Sequence, residues 1–157
     1  MKLSKNLTWK EFEYSDTAIR LGISNKVPPT LKKSAINWAE NIFQPIRDHF
    51  GVPIYLSSGY RGERLNKEIG GSPTSQHYKA EAGDLDQDYR NTGVSNSDVF
   101  YFIKNNLDFD QLIWEFGDND NPAWIHASYT SKRKNRKQVL IAYKDDNGRT
   151  KYKKWGS

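Results

Sequence analysis

A change of hydrophobic period near Gly51 divides the chain into two kinds of secondary structure. From Thr30 onward, apolar residues at Leu31, Ala35, Trp38, Ala39, Ile42, Phe43, Ile46 and Phe50 recur with helical spacing, and Gly51 ends the run. Pro45 inside it should bend or break the last turn, because it lacks the N–H the helix ladder needs. Beyond Gly51 the period shortens. Residues 53–58, 82–88, 111–115, 124–129, 138–143 and 149–155 read as strands, the last two joined by the turn Asp145-Asp146-Asn147-Gly148. Three short helices accompany them. Thr8-Trp9-Lys10-Glu11 has capping-box spacing, residues 63–69 stop at Gly70-Gly71, and Ser95-Asn96-Ser97-Asp98 caps a helix carrying Val99, Phe102 and Ile103. With helices early and strands late, the expected fold is α+β: one domain, a small antiparallel sheet and helices packed mainly on one face.

The chain has 157 residues, of which 13% are aromatic, enough large rings to build a core without help from a metal or a disulfide. It has no cysteine, which excludes a disulfide framework, a thiolate zinc site, an iron–sulfur cluster and a cysteine nucleophile. The net charge of +5 is unevenly spread. Residues 1–129 carry 14 basic against 17 acidic side chains, whereas residues 130–157 carry 10 against 2. Residues 1–129 are therefore read as the core, and 130–157 as basic strands completing the same domain. Lys132-Arg133-Lys134-Asn135-Arg136-Lys137 and Lys151-Tyr152-Lys153-Lys154 could meet an anionic polymer, or serve only as a charged edge that discourages aggregation. No stretch approaches a membrane span, and the first residues lack the apolar run of a signal peptide. The expectation is synthesis in the cytoplasm.

Three histidines occur. His49, near the end of the long helix, suits a structural place at a helix C-terminus. His77 lies in the polar loop Ser75-Gln76-His77, immediately before the strand bearing Asp84 and Asp86 on one face. His126 shares a strand face with Trp124 and Ser128. Two histidines and one aspartate make a plausible open zinc site, though spacing alone does not choose between Asp84 and Asp86.

Taken in order, Ser58-Gly59-Tyr60-Arg61, Leu65-Asn66, Gly70-Gly71-Ser72, Ser75-Gln76-His77, Ala82, Asp84, Gln111-Leu112-Ile113-Trp114-Glu115 and Trp124-Ile125-His126-Ala127-Ser128 resemble the zinc D-alanyl-D-alanine carboxypeptidase family. That family also includes vancomycin-resistance dipeptidases and phage endolysin peptidases. The likeness runs over residues 3–129. Its His-x-x-Gly-x-Ala-x-Asp pattern falls on His77, Ala82 and Asp84, with Ala80 standing at the glycine. The resemblance thus implies His77, Asp84 and His126 as zinc ligands. It also implies Arg61 as the holder of a substrate carboxylate or developing oxyanion, with Ser75 and Gln76 lining the cleft. Glu115 is the candidate general base. The dipeptidase position for the base, three residues before the last histidine, is Ala123 here, so Asp118 and Asp120 stand as alternatives.

The resemblance implies a zinc metallopeptidase that cuts peptidoglycan stem peptides. Lacking a signal peptide, it would act on the cell wall after release, as a phage lysis protein does, with the basic tail near anionic wall polymers. Two rival readings are a non-catalytic wall-binding or virion module, and a nucleic-acid binder that stacks bases on Tyr152 and Trp155.

Overall fold

The structure is a computed structural model that describes residues 1–156. The first residues form a small antiparallel hairpin, β1 (Lys2–Ser4) and β2 (Leu7–Thr8), which the sequence reading did not anticipate. The capping box forms as expected. Thr8 Oγ1 accepts from the Glu11 N–H at 3.1 Å and the Glu11 carboxylate accepts from the Thr8 N–H at 3.2 Å, opening α1 (Trp9–Glu13). An unforeseen helix, α2 (Asp16–Leu21), follows under a Ser15 cap.

The long apolar run is helical throughout, though not uniformly α. A single 3₁₀ turn (Pro29–Leu31) leads into α3 (Lys32–Trp38), a π turn covers Ala39–Phe43, and α4 (Gln44–Phe50) completes it before Gly51 in the left-handed region. Pro45 therefore does not end the helix. The wider π turn comes just before it, so the missing N–H falls in the first turn of α4, where a regular α ladder is not required.

Next come β3 (Leu56–Ser58), α5 (Glu63–Glu68), β4 (Ala82–Leu85), α6 (Asn96–Asn106), β5 (Gln111–Glu115), β6 (Trp124–Ser128), β7 (Gln138–Lys144) and β8 (Thr150–Lys154). Strands β3 to β8 make one sheet in the order β3-β4-β6-β5-β7-β8. Two expectations need correcting. All six strands read from the sequence join one sheet, larger than the small one expected, and it is mixed, because β7 runs parallel to β5. After β6 the chain passes the start of β5 through residues 129–137, with Lys137 N–H donating to Phe109 O and Gln138 N–H to Asp110 O. It then enters β7 on the far side of β5. Alternating hydrophobicity reports which face a residue takes, not which direction its neighbour runs.

Register sorts the side chains. Gly83, Ala127, Leu112 and Val139 lie abreast, as do Leu85, Ile125, Trp114 and Ile141. Most of these share a core with Trp38, Phe43, Val99 and Ile103 of the helices. Trp38 Nε1 donates to Ala127 O at 2.9 Å, and its ring covers Gly83 so closely that a Cβ there would lie 2.4 Å from Cζ2. His49 stacks on Phe102 with 4.2 Å between ring centroids, a packing role in keeping with its place near the end of α4. On the opposite face, Asp84, His126, Ile113 and Leu140 form one row, and Trp124, Glu115, Ala142 and Tyr152 the next.

Candidate metal centre

These two rows floor a cleft of ≈ 1270 Å³, walled by the loop from Gly70 to Lys79 and by residues of the basic tail. Adjacent strands fix Asp84 opposite His126, since the two are Cα partners across β4 and β6. The loop before β4 brings His77 onto the same spot. Asp84 Oδ1 lies 3.1 Å from His77 Nε2 and 3.2 Å from His126 Nδ1. One ligand atom from each residue falls within 4.8 Å of the others.

The donor set can be tested by its own hydrogen bonds. His77 Nδ1 is 2.8 Å from Gly59 O, which can only accept, so Nδ1 carries the proton and Nε2 of the neutral ring is a lone pair. That lone pair faces a carboxylate oxygen, and His126 Nδ1 faces the same oxygen. The His77 lone pair and the Asp84 oxygen are both acceptors, and a cation between them, a metal ion or a proton, satisfies the contact. Two imidazoles and a carboxylate are the borderline and hard donors zinc takes, and three protein ligands leave a position open for chemistry. The residues fit the metal. Without a metal, burial pushes the Asp84 carboxyl up, but the charges that His77 and His126 carry when protonated, and the hydrogen bonds they then donate, outweigh it, holding it well below the usual carboxylate range.

The supporting residues have local reasons for their identity. Gly59 cannot carry a side chain, because a Cβ would meet Phe12 O at 2.4 Å; that close approach lets the Gly59 carbonyl orient His77. Asn66 is buried and donates to Ser72 O at 2.8 Å, pinning the loop ahead of His77. Ala80, at the position where the family pattern has glycine, is buried with φ of 58°. The left-handed conformation explains the glycine, and alanine holds it with some strain.

Arg61 Nη2 stands 3.8 Å from Asp84 Oδ2, and its Nε is buried with no acceptor. Burial pulls the guanidinium below its ordinary value, opposed by Asp84 and Glu115. Glu115 is buried beside Trp124 on the cleft face of β5. Burial first, and the Asp84 charge second, push its pKa up to about 7, against the opposing pull of His126 and Arg61. The alternative bases are elsewhere: Asp118 Oδ1 accepts from the Asp120 and Asn121 N–H groups of its own turn, and Asp120 is exposed. Asp86, which strand spacing left level with Asp84, lies past the end of β4 and accepts from Asn96 Nδ2 at 2.9 Å.

Ser75 and Gln76 both line the cleft. Ser75 Oγ accepts from the His77 N–H at 3.2 Å, and Gln76 Nε2 donates to Asp110 Oδ2 at 3.1 Å. Residues 5–128 match the protein-family model described as Peptidase M15. The chain belongs to the M15 family of zinc D-alanyl-D-alanine carboxypeptidases. No curated protein matches the sequence. This metallopeptidase sheet extends past the matched residues, since β7 and β8 begin at Gln138 and add Gln138, Leu140, Thr150 and Tyr152 to the cleft. Sequence reasoning missed Tyr152 as a cleft residue because strand order, which sets it two strands from Glu115, has no sequence signal. It also missed Asp110, wholly buried among Arg133, Arg136 and Gln76, since a lone aspartate before a strand looks like any turn residue.

Proposed function

We propose that the protein hydrolyses a peptide bond in the stem peptides of bacterial peptidoglycan, with His77, Asp84 and His126 as the zinc ligands. The convergence of their three ligand atoms on the cleft floor, beside a buried glutamate and a half-buried arginine, carries this reading. A bound zinc ion would supply a Lewis acid for the scissile carbonyl and a water of lowered pKa. Glu115, buried on the cleft face of β5 beside the ligand row, takes a proton from the attacking water and returns it to the leaving amine. Arg61, a permanently charged fork beside Asp84, holds the substrate carboxylate or the charge that develops on the carbonyl oxygen. The cleft is open along the sheet, which admits a peptide in extended form. Among the described residues no helix is long and apolar enough to cross a membrane.

The basic tail extends this reading to wall attachment and to action on the wall after release, in the manner of a phage endolysin. Lys132, Lys134 and Lys151 are exposed and supply positive charge for an anionic wall polymer. Binding to sedimented walls should weaken with salt and on changing these three lysines to Gln.

The test is metal content by mass spectrometry, on protein purified without added metal, paired with His126→Ala and with cleavage of defined stem peptides. Stoichiometric zinc, lost in the variant together with cleavage, supports the reading. A protein that takes up no zinc even when it is offered, or that cleaves undiminished after chelation, overturns it.

A further inference from the structure

The tail holds a second built feature inside the cleft. Asp110, with no exposed surface, is bonded by two guanidinium groups: Arg133 at 2.7 and 2.9 Å, and Arg136 at 2.8 and 3.1 Å through its side chain. The Arg136 N–H adds a further bond to Asp110 at 3.0 Å, and Gln76 Nε2 another at 3.1 Å. One carboxylate thus fixes two cations; with Glu81, whose charge also acts on Arg133, two carboxylates stand against Arg133, Arg136, Lys79 and Lys132, leaving a net positive charge. Both arginine side chains stay about half exposed, at 49% and 48%, and both line the cleft together with Lys79 and Lys132. Forks held in place by a buried partner lose little freedom on taking up an anion. Gln76 ties this cluster to the loop of His77, its neighbour in sequence.

Position sets what could reach it. Asp110 immediately precedes β5, three residues from Ile113, which is abreast of His126, so the backbone that anchors the arginines lies roughly 10 Å along the strand from the row of metal ligands. An extended peptide covers that distance in two to three residues. Arg133 and Arg136 also lie outside residues 5–128, so the two cations, though not Asp110 or Gln76, are an addition beyond the part that matches the family.

We propose that Arg133 and Arg136, locked on Asp110, form an anion subsite that takes a free carboxylate of the bound peptide two to three residues from the scissile bond. This deepens, and rests on, the stem-peptide reading. In a lysine-type stem peptide cut at its D-alanyl-D-alanine end, where the third residue carries no free carboxylate, the carboxylate at that spacing belongs to the D-glutamyl residue.

The experiment uses two synthetic stem pentapeptides, identical except that the D-glutamyl carboxylate is free in one and amidated in the other. Their binding to the metal-free protein is measured by calorimetry, and their kcat/KM with the zinc-loaded protein. The free form should be favoured about tenfold or more in both, the scale of a charge-assisted bond in a half-buried site. Arg133→Gln and Arg136→Gln should each bring the ratio towards one. Arg136→Lys, which keeps the charge but not the fork, should fall between. Equal handling of the two peptides by the native protein overturns the proposal without recourse to any variant, as does a preference that both Gln variants retain. Carboxylate-dependent binding with no cleavage of either peptide would uphold the subsite and overturn the hydrolase reading. Cleavage with no preference would do the reverse, and neither binding nor cleavage would overturn both.

Discussion

Replacing Glu115 by Gln should stabilise the metal-free protein at pH 8 and leave it almost unchanged at pH 4. The carboxyl ionises near its ordinary value of 4.5 in the unfolded chain but only at about 7 in the fold, where burial and the Asp84 charge disfavour the anion. Below pH 4.5 both states hold the proton, and Glu115 differs little from the amide in shape or charge. As pH rises from 4.5 to 7 the unfolded chain releases the proton first, so stability is lost across that window. Each pH unit is worth about 1.4 kcal/mol, so the full loss is about 3 kcal/mol. Glu115→Gln removes it. Urea unfolding of both proteins in chelator, from pH 4 to 8.5, should give a stability difference that grows from near zero to about 3 kcal/mol, with the steep part between pH 4.5 and 7. Zinc should shrink that difference, because a cation nearby favours the carboxylate. A difference that is independent of pH, or that favours the wild type at pH 8 in chelator, would refute a buried, proton-holding Glu115. The group would then be poorly suited to accept a proton near neutrality.

Asp110→Ala should cost about 3 kcal/mol, roughly 6–12 °C in Tm, at the low end for a broken buried pair because both arginines can rehydrate. Arg133 and Arg136 hold the Asp110 carboxyl well below the usual range against the opposing effect of burial, so the deficit should diminish as pH drops below about 4. A melting shift below 2 °C at pH 7 would show that the cluster contributes nothing to the fold. Gly83→Ala should destabilise by about 1–3 kcal/mol, since its Cβ would press on the Trp38 ring, and tryptophan fluorescence should follow the unfolding. The same substitution should weaken zinc uptake by displacing Asp84. Ala80→Gly should fall within about 0.5 kcal/mol of neutral, because relief of left-handed strain is offset by loss of a buried methyl group, and chemical denaturation would read the difference.

Much of this architecture is written locally. The Thr8 and Ser95 capping boxes, the apolar period from Leu31 to Phe50 with its Gly51 stop, and the Asp145–Gly148 turn are set by residues three or four apart, and each forms where the sequence puts it. The ordered motifs from Ser58 to Ser128 also identify the family, because the order and spacing of residue types are legible along the chain, although the reasons for some of them, such as Gly59 under Phe12, are tertiary. Three features depend on contacts between residues distant in sequence, and no local spacing decides them. The parallel entry of β7 follows from the route of residues 129–137 past β5. The choice of Asp84 over Asp86 follows from the Cα partnership with His126 and from where β4 ends. The environments of Glu115 and Asp110 follow from burial between strands and arginines that the sequence places up to 54 residues away. The sequence therefore determined the elements, the family and the roster of candidate ligands, because those rest on short-range chemistry. Which ligands meet, which carboxyl keeps its proton and which arginines stand in the cleft were decided by strand order and register, to which no local pattern is coupled.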